Sequence, residues 1–278
     1  MGGYARGSLA IFIASLLAGC PQGTETDAGK SSRRLDICKD FLAKNDLEAA
    51  EAECGKAIAY NHANDVAYVV RGLVAYVRAG AAKKAMEVDS CLTGVDAEAM
   101  DKDLQTHLAK ADGDFEQASK LTPDYGDAWS HRGVVANLVG EFDNGRTYLT
   151  KALENPMRLA NPSLTRAHLG WSLFNLQQYV DAAKELRTAL QFQPKMCVAT
   201  YRLGRVYFAR EEWEKAAEQF QTASDDPSCG SQEASYYLMK TRMQQGLVAE
   251  AKSARDACSK LSSKSCIAAK CRAEGGSL

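Results

Sequence analysis

Three patterns of apolar and polar positions follow one another along the 278 residues. The first is an apolar run from Leu9 to Ala18, preceded by one charge at Arg6 and closed by the small residues Ala18 and Gly19. It is too short to span a bilayer, which takes about 20 apolar residues, and it has the build of an export signal over residues 1–19. The second pattern, Pro21 to Arg34, is rich in Gly, Ser, Thr, Asp and Lys and holds no bulky apolar side chain. Such a stretch predicts a flexible tether over residues 20–34. The third fills the rest of the chain with amphipathic helical segments that repeat. Leu169-Gly170 returns as Leu203-Gly204, 34 positions on, and Tyr179, Ala182, Leu186 and Ala189 return at the same spacing as Trp213, Ala216, Phe220 and Ala223.

High alanine and only 6 prolines agree with helices throughout. A repeat of small and large residues at that spacing resembles the tetratricopeptide repeat, a helix–turn–helix of 34 residues. The resemblance implies an all-α fold, a right-handed superhelix of tandem helix pairs. Gly170 and Ala182 then sit where the two helices of a pair cross closely, and Leu186 and Tyr179 fill the space between. The register extends to Gly133, Phe142 and Ala152, to Gly72, and to Cys38 at the glycine position of the first pair, with Leu47, Ala50 and Ala57 at matching sites. Between residues 80 and 125 it degrades, although Ala111, Phe115, Ala118 and Pro123 fit a second helix. Residues 35–265 are therefore expected to form six or seven helix pairs with a degenerate third. The C-terminal segment 266–278 forms or pins a cap, which a repeat stack needs at its end.

Leu17-Ala18-Gly19-Cys20 resembles the lipobox of bacterial lipoproteins. That resemblance implies cleavage before Cys20, a lipid on its thiol and acylation of the new amino group. Several acyl chains hold a protein on a membrane far more firmly than one. Residue 21 is Pro, not the Asp that retains many lipoproteins at the inner membrane, so the resemblance points to the outer membrane and its periplasmic face.

Setting Cys20 aside leaves eight of the 9 cysteines, an even number suited to an oxidising compartment. On the repeat scaffold Cys38 and Cys54 lie on the antiparallel helices of the first pair. Cys197 opens a helix and Cys229 follows the end of that helix's partner. Both pairs are disulfide candidates, with reduced, buried cysteines as the alternative. Cys258, Cys266 and Cys271 crowd the C-terminus and Cys91 has no obvious mate. A metal site is not expected, because no Cys-x2-Cys occurs and the 4 histidines are scattered.

Lys plus Arg is 34 and Asp plus Glu is 35, so no overall basic field argues for nucleic acid. No motif for a catalyst or cofactor occurs: no Gly-x-Ser-x-Gly, no His-Glu-x-x-His and no phosphate-cradling glycine loop. A binding protein, not an enzyme, is expected. In tetratricopeptide proteins the first helix of each pair lines the concave face. The register puts an apolar patch around Val70 and Leu73 there. It also puts an aromatic and basic tract there, comprising His131, His168, Trp171, Phe174, Tyr201, Arg202, Arg205 and Phe208. Aromatic and Arg side chains are frequent interface anchors, and contiguous exposed apolar surface marks partner sites. A lipid-anchored chain of six or so such repeats resembles the pilotins of type IV pili. Those proteins bind secretin subunits and help them reach or assemble in the outer membrane. The alternative is a standing scaffold of another envelope machine serving outer-membrane protein insertion, motility or the cell wall.

Overall fold

The computed structural model describes residues 26–229 and 231–276, and Cys20 with the expected signal lies outside them. Among the described residues there are α-helices and turns and no strands. Six antiparallel pairs stack in chain order. They are α1 (Asp27–Ala43) with α2 (Leu47–Tyr60), α3 (Asp65–Lys84) with α4 (Gly94–Leu121), and α5 (Gly126–Leu138) with α6 (Phe142–Glu154). Then come α7 (Pro162–Asn175) with α8 (Tyr179–Phe192), α9 (Cys197–Ala209) with α10 (Trp213–Asp225), and α11 (Gln232–Gln244) with α12 (Val248–Leu261). A last helix, α13 (Cys266–Glu274), closes the C-terminal end.

One turn recurs inside the pairs. Its central residue takes a left-handed conformation, at Asn45 (φ 57°), Gly140 (φ 83°), Gln177 (φ 60°), Glu211 (φ 58°) and Gly246 (φ 73°). The next residue's N–H reaches back to the helix, as Gln178 N to Leu173 O at 2.9 Å and Glu212 N to Tyr207 O at 2.9 Å. This is a Schellman closure, which satisfies carbonyls at the helix end and turns the chain back. Side-chain caps start several helices: Asp46, Asn64, Asn161, Ser231 and Ser265 each accept a bond from a first-turn N–H.

A second recurring device sets the distance between paired helices. A Cβ on Gly133 would lie 2.4 Å from Leu149, on Gly170 2.6 Å from Leu186, and on Gly204 2.6 Å from Phe220. In each case a glycine faces a large, fully buried residue sixteen positions later. The first pair fills the same two positions with the Cys38–Cys54 disulfide, 16 residues apart and 5.3 Å between Cα atoms. The last pair reverses the sizes, with Leu238 on the first helix and Ala254 on the second, both buried.

The second pair departs from the expected repeat. Gly72 faces Phe115, whose Cε1 lies 2.6 Å from a Cβ built there, so the partner comes 43 positions later rather than sixteen. There is no separate degenerate third pair. Instead α3 and α4 run on past the repeat and are joined by a π-helical turn (Ala85–Asp89) and a short loop. The pattern fades between 80 and 125 because those extra turns have no counterpart in the other pairs; Val88 and Val95 within them are exposed.

The expected tether is also shorter than the sequence suggests. Thr26 caps α1 by accepting from Gly29 N at 3.1 Å, so residues 27–34 are helical. Ser31 is fully buried, donating to Ala57 O at 2.7 Å and accepting from Asn64 at 2.9 Å. A small polar residue can occupy a tight helix contact when its hydroxyl is satisfied, and this replaces the bulky apolar side chain whose absence suggested a tether.

The elongated hairpin reaches the far end of the stack. Cys91, in its loop, is disulfide-bonded to Cys266 at the start of α13, 175 residues away. Cys91 N donates to Lys264 O at 3.0 Å and Ser262 Oγ to Val88 O at 3.1 Å. The superhelix is thereby closed on itself. Cys197–Cys229 ties the start of α9 to the segment after α10, and Cys258–Cys271 ties α12 to α13.

Candidate protein-binding groove

The two surfaces expected on the concave side differ sharply. Val70 is 7 % exposed and packs with Leu35, Cys38 and Cys54 in the core of the first pairs. Leu73 is half-buried against the cluster built on Val69, Leu108 and Phe115. The valine patch is thus core more than surface, because the first pair and the elongated α4 both pack onto α3.

The aromatic and basic tract is assembled in space. Trp171 and Phe174, one helical turn apart on α7, stack with ring centroids 5.1 Å apart. The Arg205 guanidinium from α9 lies 5.4 Å from the Trp171 ring, 5.2 Å from Phe174, 5.9 Å from Tyr201 and 4.1 Å from Tyr237 on α11. It also donates to Tyr201 Oη at 3.0 Å. Burial pushes the Tyr201 phenol up to about 12, so it stays protonated. Arg202 also lies over the Trp171 ring, at 5.3 Å. Its Nη1 donates to Ala167 O at 3.0 Å and meets His168 Nδ1 at 3.1 Å. A guanidinium has only donors, so that ring nitrogen accepts and the His168 proton sits on Nε2. Burial first, then the Arg202 charge and then His131, push the His168 pKa down to about 3. Burial also lowers Arg202 to about 10, opposed by Tyr201 and by Tyr76 of α3. Tyr76 of α3 thus lies near enough to Arg202 of α9 to act on its charge. His131 stacks on Phe115 at 4.9 Å, and burial lowers its pKa.

One candidate takes another role. Phe208 turns toward Trp213 (5.3 Å) and Tyr237 (5.5 Å) and supports the cage from behind. Tyr237, adjacent in sequence to a different environment, is the ring nearest Arg205. Its neighbour Tyr236 instead donates to Glu274 of α13 at 2.6 Å, and Lys240 pairs with the same carboxylate at 3.2 Å. The repeat register matches Tyr236 to Arg202 and Tyr237 to the buried Leu203; α13 packs onto Tyr236, and Tyr237 becomes the ring beside Arg205. The sulfurs of Cys197 and Cys229 lie near the Asp226 carboxylate, but they are bonded to each other and offer no thiolate to a metal.

The family model described as tetratricopeptide repeat matches residues 168–228, spanning α7 to α10 and most of this cage. The chain folds as a tetratricopeptide-repeat superhelix. Its structure is similar to that of PilW, described as a widely conserved type IV pilus biogenesis factor. The TM-score is 0.69 at 16% identity, covering 86% of this chain and 97% of that one. It is also similar to PilF of Pseudomonas aeruginosa, with a TM-score of 0.66 at 11% identity, covering 89% of this chain and 99% of that one. YrrB, described as a tetratricopeptide protein with an unusual peptide-binding site, gives a TM-score of 0.51 at 17% identity over 79% of this chain and 97% of that one. No curated protein matches the chain by sequence. At these identities the likeness is one of fold.

Proposed function

We propose that the chain is a lipid-anchored outer-membrane adaptor that holds a protein partner in its groove and promotes assembly of a secretin for type IV pili. The observation that carries this reading is the extent of the likeness to PilW and PilF, which spans nearly the whole of both chains. Cys20 at the end of an export-type run supplies the anchor, on the periplasmic face. The half-buried rings and guanidinium groups give the partner site, with no catalytic role assigned to them. Deleting the gene should reduce secretin multimers in the outer membrane, and the intact gene should restore them where a Trp171→Ala version does not. Unchanged multimers in the deletion strain would refute the secretin role. A second reading, a standing scaffold of another envelope machine, is favoured by one feature. The Cys91–Cys266 bridge covalently fixes the second pair to the C-terminal helix. Stable co-purification with a complex lacking secretin would support it.

A further inference from the structure

The two edges of the stack differ in chemistry. At one edge the helices of each pair turn back on each other; at the other, the end of a second helix passes the chain to the next pair. Every second helix opens at the first edge with an acid in its first turn: Glu48, Asp96, Asp143, Asp181, Glu214 and Glu250. Apolar groups exposed there, such as Val180 and Val248, stand beside those acids. The inter-pair edge carries larger apolar side chains. Met157, in the 3₁₀ turn after α6, is 93 % exposed, and Phe192, which closes α8, is 72 % exposed. Tyr60 and Leu121, which close α2 and α4, are exposed at the same edge. Bonds between pairs hold these ends together. Asp65, opening α3, accepts from Thr122 Oγ1 at 2.5 Å and pairs at 2.7 Å with Arg158, next to Met157. Asp127, near the start of α5, accepts from Ala160 N at 2.8 Å. Lys56, Lys120 and Lys195 stand exposed near Tyr60, Leu121 and Phe192, and Asp124 and Glu154 are exposed there too, so this edge is mixed in charge.

The chain from Cys20 enters at this same edge. Here α1 starts, with Lys30 of its first turn over the Tyr60 ring at 5.5 Å. Cys20 stands seven positions before Asp27, and seven residues reach at most about 25 Å. With 17 residues, α1 is itself about 25 Å long, so a bilayer holding Cys20 meets this edge first.

We propose that the inter-pair edge, through Tyr60, Leu121, Met157 and Phe192, rests in the headgroup layer of the bilayer that holds Cys20. The inference rests on the reading that Cys20 is lipidated, and it adds which face of the protein the lipid surface takes. Exposed aromatic and long apolar side chains with lysines beside them suit a lipid–water boundary. Their apolar parts enter the acyl margin while the lysine heads stay with the phosphates. Each contact adds little alone, but the acyl anchor makes it intramolecular and raises its effective concentration. The acidic turns inside the pairs then face away from the bilayer.

The test places photo-crosslinking benzoylphenylalanine at Met157 or Phe192, and at Val180 or Val248 of the other edge, in the full chain expressed with its signal. Each protein is put in vesicles of equal parts phosphatidylethanolamine and phosphatidylglycerol and irradiated. Mass spectrometry reads the adducts and the acyl groups on Cys20. All four positions are exposed, so helix content should be unchanged by circular dichroism. Lipid adducts at Met157 and Phe192 are expected about tenfold above those at Val180 and Val248, a ratio that burying one such side chain sustains. Met157→Glu with Phe192→Glu should also lower the lipid adducts of benzoylphenylalanine at Leu121 several-fold. Equal adducts at the two edges of an acylated chain, a preference for Val180 and Val248, or no lipid adduct at any position would overturn the proposal and leave the lipid on Cys20 standing. A chain with no acyl group on Cys20 would overturn both. Adducts of Met157 and Phe192 with protein in place of lipid, a second copy included, would overturn the lipid assignment.

Discussion

The glycine-to-large contact between paired helices makes a quantitative prediction in the fifth pair. A Cβ on Gly204 would sit 2.6 Å from Cε1 of Phe220, whose side chain is fully buried among Tyr201, Phe208 and Tyr237. Gly204→Leu therefore overpacks the crossing, at a cost of about 1–3 kcal/mol or more. The gain in helix propensity over glycine offsets only about 0.8 kcal/mol of that. Phe220→Ala opens a cavity and should cost about 3–5 kcal/mol. The last pair carries the opposite arrangement, Leu238 facing Ala254, in the same two register positions. The double change Gly204→Leu with Phe220→Ala recreates that arrangement, so the new leucine should fill the space the ring leaves. Its destabilisation should be less than that of Phe220→Ala alone. The coupling energy in a double-mutant cycle should favour the pair by about 2 kcal/mol or more, near the top of the range for residues in contact. Urea unfolding followed by far-UV circular dichroism, with disulfides intact, measures all four proteins. Costs that add to within about 0.5 kcal/mol would refute the idea that this one contact sets the spacing of the pair.

Four further outcomes are expected. The left-handed residue at Gln177 (φ 60°) carries a side chain where glycine is favoured, so Gln177→Gly should raise stability by about 0.5–1 kcal/mol in thermal unfolding, and a loss would contradict the turn assignment. His168 has a folded pKa of about 3 against 6.5 for a free histidine, so its contribution is complete above pH 6.5 and is lost as pH falls toward 3, at up to about 1.4 kcal/mol per pH unit. His168→Gln should flatten urea stability over that window, and an unchanged profile would place the buried neutral group elsewhere. Thiol titration of the unfolded, unreduced chain should find the eight cysteines of the four bridges unreactive, and Cys91→Ser with Cys266→Ser should lower stability by up to about 5 kcal/mol from the length of the loop they close. Cys20→Ala should release the protein from the membrane fraction and abolish acyl labelling; continued labelling would exclude Cys20 as the anchor.

What the sequence determined is what repeats. A helix pair folds by local rules: a turn that reverses the chain, a small residue against a large one, and alanines where the next pair docks. Those rules recur at 34-residue spacing from Gly170 to Gly204, so the fold and the face carrying Trp171, Phe174, Tyr201 and Arg205 are legible without coordinates. The same register places Cys38 opposite Cys54, because one helix crossing fixes both. What the tertiary structure alone decided are the departures from the repeat. The extension of α3 and α4 places Gly72 against Phe115; periodicity shows only that the register breaks there, not that one pair has lengthened. Cys91 meets Cys266 only because the pairs from the second to the last curve until the second pair's loop touches α13, a sum of small rotations that no local pattern records. The same curvature brings Tyr76 toward Arg202, and packing of neighbours turns Val70 into core.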